Sequence, residues 1–123
     1  MMTAALILLL IAVLFGCWLA FLHFDGRPPE AVPWALALMH AGLALVGFLL
    51  LVVTFREPAP HAVSGGMAVF GRTAITLLTG AIAVGLGLLA RFRLRKKGAE
   101  ALVGIHATLA ISGIVVLAVY VLG

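Results

Sequence analysis

Four long runs of apolar residues, separated by shorter polar segments, form the main pattern of this chain. A membrane-spanning helix needs about 20 consecutive, mostly apolar residues, and each run approaches or exceeds that length. The apolar positions are continuous rather than alternating, which is typical of a helix and not of a lipid-facing barrel strand. The pattern therefore predicts spans at residues 3–22, 34–55, 73–90 and 101–123.

The segments between these runs contain turn-forming or charged residues, and two of them are short. The first holds one glycine and three prolines, which prevent one continuous helix: Gly26, Pro28, Pro29 and Pro33. Short connections make consecutive helices antiparallel neighbours. We therefore predict an all-α membrane protein, a single four-transmembrane-helix bundle made of two tandem helical hairpins.

The composition excludes an ordinary soluble domain. Hydrophobic residues make up 65% of the chain and charged residues 10%, against about 45–50% and about 25% in soluble domains. The mean hydropathy is +1.31. The net charge of +4 does not indicate nucleic acid, because one loop accounts for most of it.

Lysine and arginine are distributed unevenly between the two sides of the predicted bundle. Six of the eight lie in the first and third connections: Arg27, Arg91, Arg93, Arg95, Lys96 and Lys97. The positive-inside rule then places loops 23–33 and 91–100 in the cytoplasm and both termini outside, in a bacterial-type inner membrane. The basic cluster also suits anionic lipid head groups.

The second and fourth predicted helices share the pattern H-A-x-L-A-x-x-G, which begins at His40 and again at His106. The separation of 66 residues spans one helix pair, so these two helices run parallel. The first and third helices align more weakly, through Gly16 and Gly85. The chain thus contains an internal repeat, as in membrane proteins whose halves are related by an axis along the membrane normal.

The two repeated histidines are the strongest candidate for chemistry, because an ionisable residue inside a span is a functional hypothesis by default. His40 lies about 10 Å past Pro33, and His106 about 9 Å past Glu100, at 1.5 Å per helical residue. Since both helices start on the same side, the two imidazoles are expected at one depth.

Small residues continue the helix face below each histidine, at Ala44 and Gly47 and at Ala110 and Gly113. Such stripes let helices approach closely, and they also leave room for a planar cofactor. Two imidazoles at one depth suit the two axial positions of a haem iron. The pattern therefore favours one haem b, ligated by both histidines and admitted by the small residues.

Further polar residues lie at the cytoplasmic rim of this predicted site. Arg27, Arg91 and Arg93 are available to pair with haem propionates. His23 ends the first helix on the same side and has several possible roles: binding a propionate, binding a quinone carbonyl, replacing an axial ligand, or facing water at the interface.

Two other interpretations of His40 and His106 remain open. The histidines can bridge helices by hydrogen bonds to the backbone or to Thr108 and Ser112, or they can handle quinone or protons. A proton-coupled exporter is disfavoured because all four carboxylates fall in loops: Asp25, Glu30, Glu57 and Glu100.

The arrangement of His40 and His106 with Gly47 and Gly113 resembles the membrane-anchored b-type cytochromes, which include the cytochrome b561-like proteins and the anchor subunits of succinate dehydrogenases. This resemblance covers the second and fourth helices. It implies histidines from neighbouring helices on either side of a haem. The third helix has no histidine, so the resemblance implies at most one haem.

Together these patterns predict an electron-transfer subunit rather than a stand-alone enzyme. It would carry one haem within a larger respiratory or photosynthetic complex and relay electrons, with quinone as a candidate donor or acceptor. Since the chain has no large soluble domain to carry a substrate site, other membrane subunits are expected as partners. A cofactor-free accessory subunit is the rival interpretation. A small transporter is a third, although few polar residues lie in the spans.

Overall fold

The computed structural model describes residues 1–56, 65–94 and 98–123, and these form four long α-helices and one short 3-10 helix. The α-helices are α1 (Met2–Phe24), α2 (Trp34–Arg56), α3 (Gly65–Arg93) and α4 (Glu100–Leu122). Each is long and apolar enough to cross a membrane, and the described residues contain no strand. The predicted all-α, four-helix membrane fold is confirmed.

Three helices begin and end within two residues of their predicted bounds, but the predicted start of α3 at residue 73 is wrong. The helix begins eight residues earlier, at Gly65. Its added segment packs against a neighbouring helix, since a Cβ placed on Gly71 would lie 2.5 Å from the Phe55 ring. Tertiary contact thus extends the helix through glycines that by themselves disfavour it.

The four helices pack as two hairpins. Contacts are most extensive between α1 and α2 and between α3 and α4, while smaller contacts join α1 to α4 and α2 to α3. In the first hairpin the chain turns through Gly26, whose φ of +72° lies in the left-handed region that glycine adopts readily. Gly98, with φ of +75°, has the same conformation just before α4.

The buried core lies in the half of the bundle that carries the chain termini. Its buried cluster consists of small and aliphatic residues from all four helices: Ala5, Leu6, Leu9, Leu51, Ala74, Leu78, Ile114 and Leu117. Toward the opposite end, beyond Gly16 and Gly85, only Leu22 and Ala99 are buried among the described residues. The described residues are therefore more completely buried in the half with the termini than in the half with the first and third connections.

Candidate functional site

The rings of His40 and His106, one from each hairpin, meet six residues after the starts of α2 and α4. Their centroids are 5.9 Å apart and their planes are inclined by 82°. Both side chains are only partly buried. The structure thus brings together the two histidines that the repeat singled out.

Each imidazole is held by a backbone carbonyl of the preceding helix in its own hairpin. Nδ1 of His40 donates to the carbonyl oxygen of Ala12 at 2.7 Å, and Nδ1 of His106 donates to that of Ala81 at 2.8 Å. A carbonyl oxygen only accepts, so Nδ1 carries the hydrogen in both rings. In a neutral imidazole the other nitrogen, Nε2, then presents a lone pair.

A glycine lies against each ring, four residues after the alanine that accepts the hydrogen bond. A Cβ on Gly16 would lie 2.8 Å from Cε1 of His40, and a Cβ on Gly85 would lie 2.9 Å from Cε1 of His106. Any larger residue would collide with the ring. The repeat aligns Gly16 with Gly85, but nothing in the sequence predicts that each of them contacts a histidine ring.

Gly47 and Gly113 have a different environment from the predicted one. A Cβ on Gly47 would lie 3.0 Å from Cγ of Leu9, and a Cβ on Gly113 would lie 2.9 Å from Cγ of Leu78. Both glycines therefore face the first helix of their own hairpin. The prediction that these glycines make room for a planar ring is wrong, because leucine side chains occupy the space beside them. Ala44 and Ala110, on the same faces, are partly buried.

The remaining predicted site residues lie at the loop end of the bundle, away from the imidazole pair. His23 is exposed, with its ring edge on Phe24 at 5.3 Å between centroids. It is 11 residues past Ala12, about 16 Å along α1 by the helical rise. The structure therefore does not bring His23 to His40 or His106.

The three predicted arginines lie at this same end. Arg27 pairs with Asp25 through Nε and Oδ2 at 3.2 Å, and both side chains are exposed. Arg91 is partly buried and donates to the carbonyl oxygen of Gly98 at 3.4 Å. Arg93 is exposed in the last turn of α3. These charges form a basic rim at the loop end of the bundle.

Thr108, one of the two hydroxyl residues expected to bridge helices, bonds within its own helix. Thr108 donates to the carbonyl oxygen of Gly104 at 2.8 Å, within its own helix. Three further threonines likewise bond the carbonyl four residues earlier: Thr54, Thr76 and Thr79. No polar or charged side chain is fully buried in the described part of the chain. A polar path through the bundle therefore gains no support from these residues.

The repeat extends further than the histidine pattern indicated. The first and third helices share A-x-x-L-L-x-x-A-x-x-x-G, at Ala5–Gly16 and at Ala74–Gly85, with an offset of 69 residues instead of 66. The difference arises because the bonded alanine and histidine are 28 residues apart in the first hairpin and 25 in the second. Aligning each helix separately would have revealed this signal.

The donor set decides which metal centres are possible here. The described residues contain no group of three or more histidine, cysteine, aspartate or glutamate side chains that could hold a metal ion. A structural zinc site needs four such ligands. A haem needs only axial ligands from the protein, and histidine is one of the residues that supply them.

Comparisons with protein-family models, with curated proteins and with solved structures give no match to this chain.

Proposed function

We propose that this protein is a small membrane cytochrome subunit that binds one b-type haem through His40 and His106 and relays electrons within a larger complex. The observation that carries the proposal is the imidazole pair itself. The two rings lie 5.9 Å apart, and each has its Nδ1 bonded to a carbonyl. In a neutral ring each Nε2 therefore keeps the lone pair with which it would bind the iron.

The spacing of the rings fits a shared metal. An imidazole nitrogen binds a metal at about 2 Å, and the ring centre lies about 1 Å behind that nitrogen, so two opposed ligands have centres about 6 Å apart. The observed 5.9 Å agrees with this value. Lateral room for the porphyrin requires α2 and α4 to remain apart beside the rings, and these two helices contact each other little.

The hydrogen bonds also support ligation. A metal-bound histidine almost always donates its second N–H to a carboxylate, a backbone carbonyl or water, which fixes the ring and raises its basicity. Ala12 and Ala81 provide that carbonyl for the two rings. When bound, the haem supplies a one-electron redox couple. The chain holds it, orients it and surrounds it with apolar side chains.

The loop end of the bundle would face the redox partner. Arg27, Arg91 and Arg93 lie there as candidate partners for the propionates, and quinone is the mobile carrier suited to an apolar, membrane-embedded site. His23 stays a candidate contact for quinone or a propionate at this rim. Other membrane subunits would supply the remaining redox centres, in agreement with the resemblance to b561-like and succinate dehydrogenase anchor proteins.

The basic loops would place this end of the bundle on the cytoplasmic side of a bacterial inner membrane, with both termini outside. Alkaline phosphatase fused after Gly123 tests the orientation, because it is active only outside the cytoplasm. Fusion after Gly26 is the matched control and should be inactive. Activity of the Gly26 fusion, with an inactive Gly123 fusion, would reverse the proposed topology.

An absorption spectrum of the purified protein tests the haem. The protein, expressed with an ample haem supply or titrated with haem in detergent, should show a Soret band and a reduced α band of low-spin haem. His40→Ala and His106→Ala should each lose the low-spin spectrum, while His23→Ala keeps it. A wild-type protein that stays colourless throughout the titration contradicts the proposal.

A second candidate is a cofactor-free accessory subunit, and the same hydrogen bonds favour it. Each imidazole already satisfies Nδ1 and links two helices of one hairpin, so the histidines have a structural use without any guest. This candidate predicts a colourless protein whose His40→Ala variant assembles less well with its partners. Co-purification of intact partner subunits with colourless wild-type protein would favour it over the cytochrome.

A further inference from the structure

We propose that Gly16 and Gly85 are positioning residues. Each leaves space for one imidazole to bond the alanine carbonyl one turn earlier in the helix, and this bond keeps Nε2 of the ring available as a ligand. The part that concerns haem rests on the proposed function. The part that concerns the rings stands without it. Neither glycine contacts the proposed guest in this scheme, because each acts through its histidine.

The first step is steric. His40 approaches Gly16 so closely that a Cβ there would lie 2.8 Å from Cε1 and 3.3 Å from Nδ1. The corresponding distances at Gly85 are 2.9 Å to Cε1 and 3.2 Å to Nδ1 of His106. Carbon atoms in van der Waals contact are about 3.5–4.0 Å apart. An alanine at either position must therefore displace the ring.

The second step connects the ring position with its tautomer. The accepting carbonyls belong to Ala12 and Ala81, one helical turn before the two glycines. A ring pushed away from the glycine moves away from that carbonyl as well. Without a fixed acceptor at Nδ1, the hydrogen is free to reside on Nε2, and such a ring presents no lone pair at that nitrogen.

The third step separates this role from ordinary helix packing. Gly47 and Gly113 are equally confined, but by leucine side chains at 3.0 Å and 2.9 Å. They lie in the same hairpin interfaces as Gly16 and Gly85, and they do not contact histidine. Gly47→Ala and Gly113→Ala are therefore matched controls, since they add the same methyl group and leave the imidazoles in place.

The test begins with haem-free protein that carries 15N-labelled histidine, in lipid nanodiscs. Wild-type protein should give the spectrum of the Nδ1–H tautomer for both rings. Gly16→Ala should remove this signature from His40 and leave it on His106, and Gly85→Ala should do the reverse. Gly47→Ala should change neither ring. Retention of both Nδ1–H signatures in Gly16→Ala and Gly85→Ala overturns the proposal.

The second readout uses haem and separates the two proposals. Loss of a residue that orients a metal ligand typically weakens metal affinity about 10- to 100-fold, so Gly16→Ala and Gly85→Ala should weaken haem binding by such a factor relative to Gly47→Ala. If wild-type protein binds no haem but the tautomer shifts occur, the cytochrome proposal fails and the positioning role stands. If wild-type protein binds haem and all the glycine variants bind it equally, the cytochrome proposal stands and the positioning role fails.

A double substitution keeps the test meaningful if the single variants fold poorly. In a His40→Ala background the ring is absent, so Gly16→Ala has room for its methyl group and should lower the melting temperature no further. Such non-additivity is expected for residues in contact or otherwise physically coupled, and not for distant, independent sites. An equal loss from Gly16→Ala with and without His40 would show that the glycine does not act through this histidine.

Discussion

His40 and His106 occupy equivalent positions in the two hairpins, and their rings meet at 5.9 Å. Each bonds an alanine carbonyl on the preceding helix, at 2.7 and 2.8 Å. Since the two hydrogen bonds are nearly identical, the backbone holds both rings in the same way. The two histidines should therefore respond alike to the loss of this bond.

The first prediction concerns the stability of histidine variants. In haem-free protein, His40→Ala and His106→Ala should each reduce the free energy of unfolding by about 0.6 kcal/mol for the lost hydrogen bond, and by no more than about 1.7 kcal/mol, the average and the maximum for hydrogen bonds between membrane helices. Unfolding in mixed detergent micelles measures the cost. His23→Ala, at an exposed position, is the control. A cost confined to one of the two repeated histidines would contradict this equivalence.

The second prediction separates core packing from the site. Leu51 and Leu117 are fully buried and lie in the half of the bundle that carries the termini. Leu51→Ala and Leu117→Ala should each cost about 2–5 kcal/mol, the range for leucine truncation in a packed interior. Leu49→Ala, at an exposed position, should cost little. If Leu51→Ala abolished haem binding in folded protein, the site would not be independent of this core.

Much of the fold follows from the sequence, because spans depend mainly on the length and apolarity of a run. Trp34, which begins α2, lies where the pattern predicts. The predicted start of α3 is wrong because local propensity favours a loop at Gly65 and Gly66, whereas the packing of Gly71 on Phe55 stabilises a longer helix. That contact joins distant parts of the chain and has no local signal.

The site was only partly predictable for a similar reason. The repeat identified His40 and His106, but every residue carries a carbonyl, so nothing in the sequence marks Ala12 as the acceptor for His40. Small residues gave an ambiguous signal. Gly47 lies below His40 on the same helix face, yet its space is filled by Leu9, while Gly16 on another helix receives the ring.

The third prediction concerns the loop end of the bundle, where Trp34 stacks on Phe92 with ring centroids 5.7 Å apart and planes inclined by 3°. This pair joins α2 to α3. In a Trp18→Phe background, Phe92→Ala should change the emission spectrum of Trp34 and cost about 0.5–1.5 kcal/mol beyond the loss of buried area. Phe24→Ala, whose ring is exposed, is the control. Unchanged emission on loss of Phe92 would argue against the stack.

The last prediction concerns the early turns of α3. A Cβ on Gly71 would lie 2.5 Å from Cε2 of Phe55, and Phe55 also packs on Tyr120, with ring centroids 5.9 Å apart. Gly71→Ala should therefore cost about 1–3 kcal/mol, as overpacking does, and differential unfolding in detergent measures the loss. Gly66→Ala, which meets nothing within 4 Å, is the control and should be neutral or slightly stabilising.

A second substitution tests whether this collision is the cause. Phe55→Leu removes the ring edge that meets the new methyl group, so it should recover part of the stability lost in Gly71→Ala. The proposed haem binding should be unchanged in all these variants, because Gly71 and Phe55 lie in the half of the bundle that carries the termini. If Gly71→Ala and Gly66→Ala were equally stable, the packing of this segment on α2 could not explain why α3 starts at Gly65.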